Sequence, residues 1–197
     1  MVKCVKYNPA YCRRVNHSDN TSIGNDLKKR HLLNVSTVKL RPVKYTFLLM
    51  NPSDADVEFS DSTVNKVIKD SCNDNVDQVD IVNILPFYET DSTKIENLLN
   101  KLEKSEILNL LNENYKTIVK SIETTVESEG KIICGWGNMP SNLSERNENI
   151  YTNNLKRIKE ILKKYPNMTY CYGTNNDGSP THPLYVDYKN LREFSIE

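Results

Sequence analysis

Tyr45 to Met50 is an unbroken run of six apolar and β-favouring residues, Tyr-Thr-Phe-Leu-Leu-Met, and it stops at Asn51-Pro52. A run of that length without polar alternation reads as a buried central strand, and a proline cannot extend its ladder. The strand must therefore turn at Pro52. In open α/β sheets ligands collect in the crevice beyond the carboxyl ends of the strands, which puts Asn51, Pro52, Ser53 and Asp54 where chemistry is expected. The plainer alternative is that Asn51 and Ser53 only shape the turn and cap the next helix.

The rest of the chain repeats this grammar. Val35 to Leu40 alternates and reads as a short edge strand before Pro42. Ser60 and Asp61 precede a helical spacing of Val64, Val67 and Ile68 that runs to about Ser71. Gln78 to Leu85 is a second β-branched run closed by a proline, Pro86, and it delivers Asn83 near its carboxyl end. Residues 92 to 128 carry apolar residues at helical spacing, as one broken helix or two divided around Ser105, and Gly130 ends them. Lys131 to Trp136 reads as a third strand, residues 150 to 164 as an amphipathic helix, and Met168 to Tyr172 as a fourth strand. Gly173 to Tyr185 is dense in turn residues and reads as a shaped loop. Residues 1 to 36 carry no firm pattern, and Asp26 to His31 fits either a helical turn or a loop. His17 and His31 read as solvated surface residues.

Strands alternating with helices imply an α/β domain, a three-layer α/β/α sandwich around a central, mostly parallel four-stranded sheet. Right-handed crossovers would open all four strand ends onto one edge. That edge gathers Asn51, Asn83, Trp136 with Asn138, and His182, with Phe59 and Tyr88 nearby. Such a pocket suits an uncharged planar ligand with amide-like edges.

Composition narrows the class. At 197 residues the chain makes one domain, residues 1 to 197, with residues 1 to 40 as an extension packed on it. Lys plus Arg and Asp plus Glu each number 26, so no global charge attracts nucleic acid and any such binding needs a local patch. No apolar run is long enough for a membrane span, and the amino terminus lacks a signal-peptide core, so a cytoplasmic protein without membrane contact is expected. The five cysteines, 4, 12, 72, 134 and 171, form no CxxC pair, so buried free thiols are expected rather than a metal site. No cofactor is implied.

The motifs are chemically specific in two places. The carboxamide of Asn83 can pair with an adjacent donor and acceptor, as in reading the edge of a base, or it can simply bind a neighbouring loop. His182 sits in a Gly-Ser-Pro-Thr-His-Pro frame, Gly178 to Pro183, where a donor can be aimed rigidly at a developing anion. Gly135-Trp136-Gly137 lacks the third glycine of a dinucleotide fingerprint, there is no Walker lysine, and no serine sits in a nucleophile elbow. Covalent catalysis is disfavoured.

Leu49-Met-Asn-Pro-Ser-Asp-Ala55, Asp61-Ser-Thr63, Val82-Asn-Ile-Leu85, Gly135-Trp-Gly137 and Gly178-Ser-Pro-Thr-His-Pro-Leu-Tyr185 together resemble domain-of-unknown-function family 1643. In the same order they resemble, more distantly, the uracil-DNA glycosylase superfamily. That resemblance implies that Asn51 positions the hydrolytic water, Phe59 stacks on a flipped base and Asn83 pairs with its edge. It implies that His182 stabilises the departing base anion and that Leu184 or Tyr185 wedges into the vacated stack. Pro52, Ser53 and Ser179 would pinch phosphates, so the partner would be DNA, single- or double-stranded, or a nucleotide. The chain departs from the superfamily in carrying Asn51 for the usual activating aspartate and Ser53-Asp54 for its tyrosine-histidine pair. Weak or no activity on uracil follows, and Asp54 and Asp61 become alternative acid/base residues for another base, or the binding groups for a positively charged ligand. The competing expectation is a catalytically inactive glycosylase-fold module that binds DNA or a protein partner.

Overall fold

The computed structural model describes residues 5–18, 22–23 and 27–196. The chain forms β1 (Cys12–Ser18), β2 (Leu32–Thr37), β3 (Lys44–Leu49), α1 (Ser62–Asn73), β4 (Gln78–Asn83), α2 (Ile95–Leu99), α3 (Lys104–Glu127), β5 (Ile132–Cys134), α4 (Glu145–Leu162), β6 (Thr169–Cys171) and β7 (Arg192–Glu193). These strands build one seven-stranded sheet in the order β7-β6-β5-β3-β4-β2-β1. The β3–β4, β3–β5 and β5–β6 pairings are parallel, whereas β4–β2, β2–β1 and β6–β7 are antiparallel. The sheet is therefore mixed and larger than the four strands expected from the sequence.

The central run behaves as its composition dictates. Tyr45, Thr46, Phe47, Leu48 and Leu49 are all buried, which requires cover on both faces. Tyr45, Phe47 and Leu49 pack with Val64, Val67 and Ile68 of α1 on one face. Leu48 packs with Ile118 and Ile122 of α3 on the other, in a core that also holds residues of α2 and α4. Each of these buried aliphatic side chains contributes about 1.5–3 kcal/mol of hydrophobic stabilisation. Thr46 is the one polar residue among the five, and its hydroxyl donates to Ser121 O at 3.1 Å and lies 2.7 Å from Thr125 Oγ1. The polar group in the wall is thus satisfied by the helix that covers it.

Helix boundaries follow their caps. Asp61 caps α1 by accepting from Val64 N at 2.8 Å, one residue after the cap expected at Ser60. Glu103 and Glu106 form a capping box that starts α3 at Lys104, so the break falls before Ser105. Helix α4 begins at Glu145, five residues earlier than its apolar spacing suggests, because its first turn is polar.

The amino-terminal third differs most from expectation. The strand read at Val35 to Leu40 occupies Leu32–Thr37 and is not an edge, since β4 pairs on one side and β1 on the other. Residues 12 to 37 thus supply two strands to the sheet. His31 is 2% exposed rather than solvated, with Nδ1 3.0 Å from Asn114 Oδ1. His17 lies half-buried in β1 with an unpartnered Nδ1. Cys4, Gly24 and Asp26 lie outside the described residues. Cys12, Cys72, Cys134 and Cys171 are buried free thiols. Among the described residues no helix is long and apolar enough to cross a membrane.

Gly130 joins α3 to β5 at a point where a Cβ would lie 1.7 Å from the Lys44 carbonyl oxygen, which belongs to β3. Backbone cannot yield as a flexible side chain can. Gly130→Ala should lower unfolding free energy by about 3 kcal/mol or more in urea titration, a loss on the scale of severe core changes. A change under about 0.5 kcal/mol, the size of an ordinary surface substitution, would contradict this packing.

Candidate functional site

Beyond the carboxyl ends of the parallel strands, backbone bonds hold the exits in register. Ile84 N donates to Leu49 O at 2.9 Å, Leu85 N to Met50 O at 2.8 Å, and Gly135 N to Leu48 O at 2.9 Å. Asn114 Nδ2 donates to Asn83 O at 2.7 Å and Asn154 Nδ2 to Ile84 O at 2.8 Å, so α3 and α4 satisfy carbonyls that the sheet leaves open. The loops that follow these strands, together with the start of α1, enclose a cleft of about 560 Å³. That volume lies in the range of small-molecule sites, about 300–1,000 Å³.

Asn51, Ser53, Asp61, Trp136, Asn138, His182, Leu184 and Tyr185 all line this cleft. Asn51 Nδ2 donates to Glu89 O and, at 3.3 Å, to Pro52 O, so its amide nitrogen stitches two loops and its Oδ1 is the remaining polar atom. Ser53 Oγ donates to Asp61 Oδ2, while the other oxygen of that carboxylate caps α1. Asp61 is 1% exposed, a carboxylate held almost wholly inside the protein with its lone pairs engaged.

His182 stands opposite this acid in the electrostatic sense. Burial lowers its pKa below the ordinary imidazole value, and the Asp61 carboxylate offsets part of that shift. Leu184 N donates to His182 Nδ1 at 3.4 Å, which puts the ring proton on Nε2. Burial thus disfavours the charged ring, and the engaged Nδ1 leaves Nε2 as the available donor. Its ring centroid lies 5.8 Å from that of Tyr185, which is 78% exposed. The loop is wedged against the sheet at Gly135, where a Cβ would approach Pro183 Cδ to 2.6 Å.

The remaining expected residues lie elsewhere. Asn83 is fully buried and outside the lining, and both its Oδ1 and Nδ2 lack hydrogen-bond partners. Its register partner in β3 is Leu49, two residues before Asn51. Phe59 is 38% exposed and pairs with Lys6 in a short antiparallel ladder, away from the cleft. Pro52 is buried and Asp54 exposed, and neither lines the cleft. Ser179 lines a neighbouring cleft, where its hydroxyl donates to Asp177 Oδ1 at 2.6 Å and to Asn138 Oδ1 at 3.1 Å.

Two contributions had no signal in the sequence. Glu89 and Thr90 join the lining because of how the loops close. Arg30, in a segment read only as turn or loop, is 1% exposed and among the described residues forms no ion pair. Its guanidinium donates to Ala55 O and lies 5.2 Å from the Tyr88 ring centroid, so it pins the loop that carries Ser53 and leads to Asp61. Among the described residues no three His, Cys, Asp or Glu side chains gather as a metal set.

The His182 environment has a pH signature. The unfolded chain binds its proton near pH ~6.5, but the native ring binds it only at lower pH. The unfolded state therefore holds more protons across that interval, and stability rises with pH there, with a slope of at most about 1.4 kcal/mol per pH unit. His182→Gln should flatten this slope in denaturation curves collected from pH 5 to 7.5. An unchanged slope would show that the ring is not held neutral.

Sequence comparison places the geometry in a family. No curated protein and no solved structure matches the chain. The likeness to uracil-DNA glycosylases rests on the motifs alone, whereas the family described as "Protein of unknown function (DUF1643)" matches residues 30–184, which span β2 through the His182 loop. A match over that much of the chain makes this protein a member of the DUF1643 family.

Proposed function

We propose that the Asn51–Asp61–His182 cleft receives a nucleobase, carried by DNA or by a nucleotide, and hydrolyses its N-glycosidic bond. The observation that supports this most directly is that one cleft holds a buried carboxyl group, Asp61, and an imidazole, His182, whose Nδ1 accepts from Leu184 N. Hydrolysis of such a bond can use both. Water attacks C1′ of the sugar, the C1′–N bond breaks with its electron pair moving to the base, and the base leaves as an anion. A donor aimed into the cleft stabilises that anion as charge develops, and His182 is that donor. The proton released by water passes to Asp61, through the Ser53 hydroxyl already bonded to it. Asn51 contributes its free Oδ1 as an acceptor that orients the water.

Tyr185, highly exposed at the mouth, and Leu184 supply surface for the neighbouring stack. The proposal extends to architecture: a sheet covered by α1 on one face and by α2, α3 and α4 on the other is read as a three-layer α/β/α domain of the uracil-DNA glycosylase type. The unpaired amide of Asn83 lies beneath this site by register and would be satisfied by a base edge once the strand exit opens. Its complete burial is also what favours the second reading, a catalytically inactive module that binds DNA or a protein partner.

Base release from single- and double-stranded oligonucleotides carrying uracil or other modified bases separates the two. The enzyme should release at least one of these bases, with the rate falling by about 10²-fold or more in both Asp61→Asn and His182→Ala, the usual size of a lost acid/base contribution. Binding without release from any substrate would establish the inactive module.

A further inference from the structure

A second cleft, of about 490 Å³, lies on the far side of Trp136 and Gly137, and these two residues line both clefts. Its floor is apolar, made by Trp136 and Phe194, whose rings meet edge-on with centroids 6.1 Å apart. Tyr151 of α4 also lines it, is 1% exposed, and has a buried Oη with no hydrogen-bond partner. A buried hydroxyl left unpaired costs stability, and a ligand reaching this floor would satisfy it.

The rim carries two cations and two carboxylates. Lys159 and Arg192 line the cleft, and neither forms an ion pair among the described residues. Arg192 only donates to Thr174 Oγ1 at 3.4 Å. Opposing them, the Asp177 carboxylate already accepts from Ser179 N and Oγ, and Glu193 is exposed on the edge strand. Between the clefts, Gly137 adopts φ +72°, and no atom lies within 4 Å of the position a Cβ would take. The ridge is low there, so a chain can cross it.

We propose that the Tyr151 cleft binds the neighbouring nucleotide of a single-stranded nucleic acid whose target base occupies the first cleft. The phosphate linkage crosses at Gly137, and Lys159 and Arg192 hold the next phosphate. Each cleft is of a size to hold one nucleotide, and a duplex cannot place two successive residues in separate clefts without unpairing both. Aromatic walls beside cations that form no ion pair among the described residues are equipment suited to single strands. This inference rests on the proposed function of the first cleft and names its substrate class.

Trp136 is the sole tryptophan and lines both clefts, so its fluorescence reports occupation of either. Titrations should use thymidine monophosphate, a single-stranded thymidine trinucleotide and a hairpin duplex. The trinucleotide should bind at least 10-fold more tightly than the monophosphate and the hairpin. In Lys159→Glu and in Tyr151→Phe the ratio of trinucleotide to monophosphate affinity should collapse toward one. Tyr151→Phe should at the same time leave thermal stability equal or raised, because it removes an unpaired hydroxyl; a merely structural hydroxyl would leave the affinity ratio alone. A ratio unchanged in both variants, or a hairpin bound as tightly as the trinucleotide, overturns the inference. If base release depends on His182 while trinucleotide and monophosphate bind equally, the second cleft fails and the first stands. If no nucleotide of any length binds, both fail.

Discussion

Burial of β3 on both faces is the constraint from which the rest of the molecule follows. A strand with Tyr45, Phe47 and Leu49 on one side and Thr46 and Leu48 on the other has no face to offer to water. The chain must therefore return a helix to each side, which α1 and α3 do, and must flank the strand with partners, which β4 and β5 do in parallel. Parallel neighbours bring their carboxyl ends to the same edge. The loops carrying Asn51, Trp136 and His182 meet because of that, and the N-terminus of α1 brings Asp61 to them.

Such an edge is costly to close, since strand exits leave carbonyl oxygens without ladder partners. Asparagines solve most of it. Asn114 and Asn154 reach out of α3 and α4 to the carbonyls of Asn83 and Ile84, and Asn51 ties its own loop to Glu89. Arg30 performs the same service for Ala55 with a charged group, at the expense of burying a cation that forms no ion pair among the described residues. Several buried polar groups remain without partners among the described residues, Arg30 Nε among them. Two of them lie near the clefts: the fully buried Asn83 amide, whose register partner is Leu49, and the hydroxyl of Tyr151, a residue that lines the second cleft.

Much of this was legible in the sequence where one physical rule dominated. The uninterrupted run at Tyr45 to Met50 and the prolines at 52 and 86 marked two parallel strands and their exits to within two residues. Asn51, Trp136 and His182 were placed together because strand ends in such a sheet must be neighbours. Residues 12 to 37 were not legible, because β1 is rich in Arg, Asn and His and shows no apolar alternation, as suits a strand at the sheet's edge. The surface reading of His31 fails, and the burial of Arg30 has no signal, for a related reason: charged and polar side chains default to the surface unless a specific partner buries them, and their partners Ala55 and Asn114 are remote in sequence. Phe59 shows the limit of carrying a role across a resemblance, since spacing alone does not bring its ring to the cleft.

The measurement that bears most directly on the central claim is a crystal structure with a nucleoside monophosphate whose base is joined to the sugar through carbon, so that it binds and cannot be cleaved. The expected result is a ring in the Asn51–Asp61–His182 cleft, with an acceptor of the base within about 2.6–3.2 Å of His182 Nε2 and C1′ on the side of Asp61. A nucleotide seated elsewhere, or a His182 Nε2 that donates to a protein acceptor while the cleft is filled, would contradict the account.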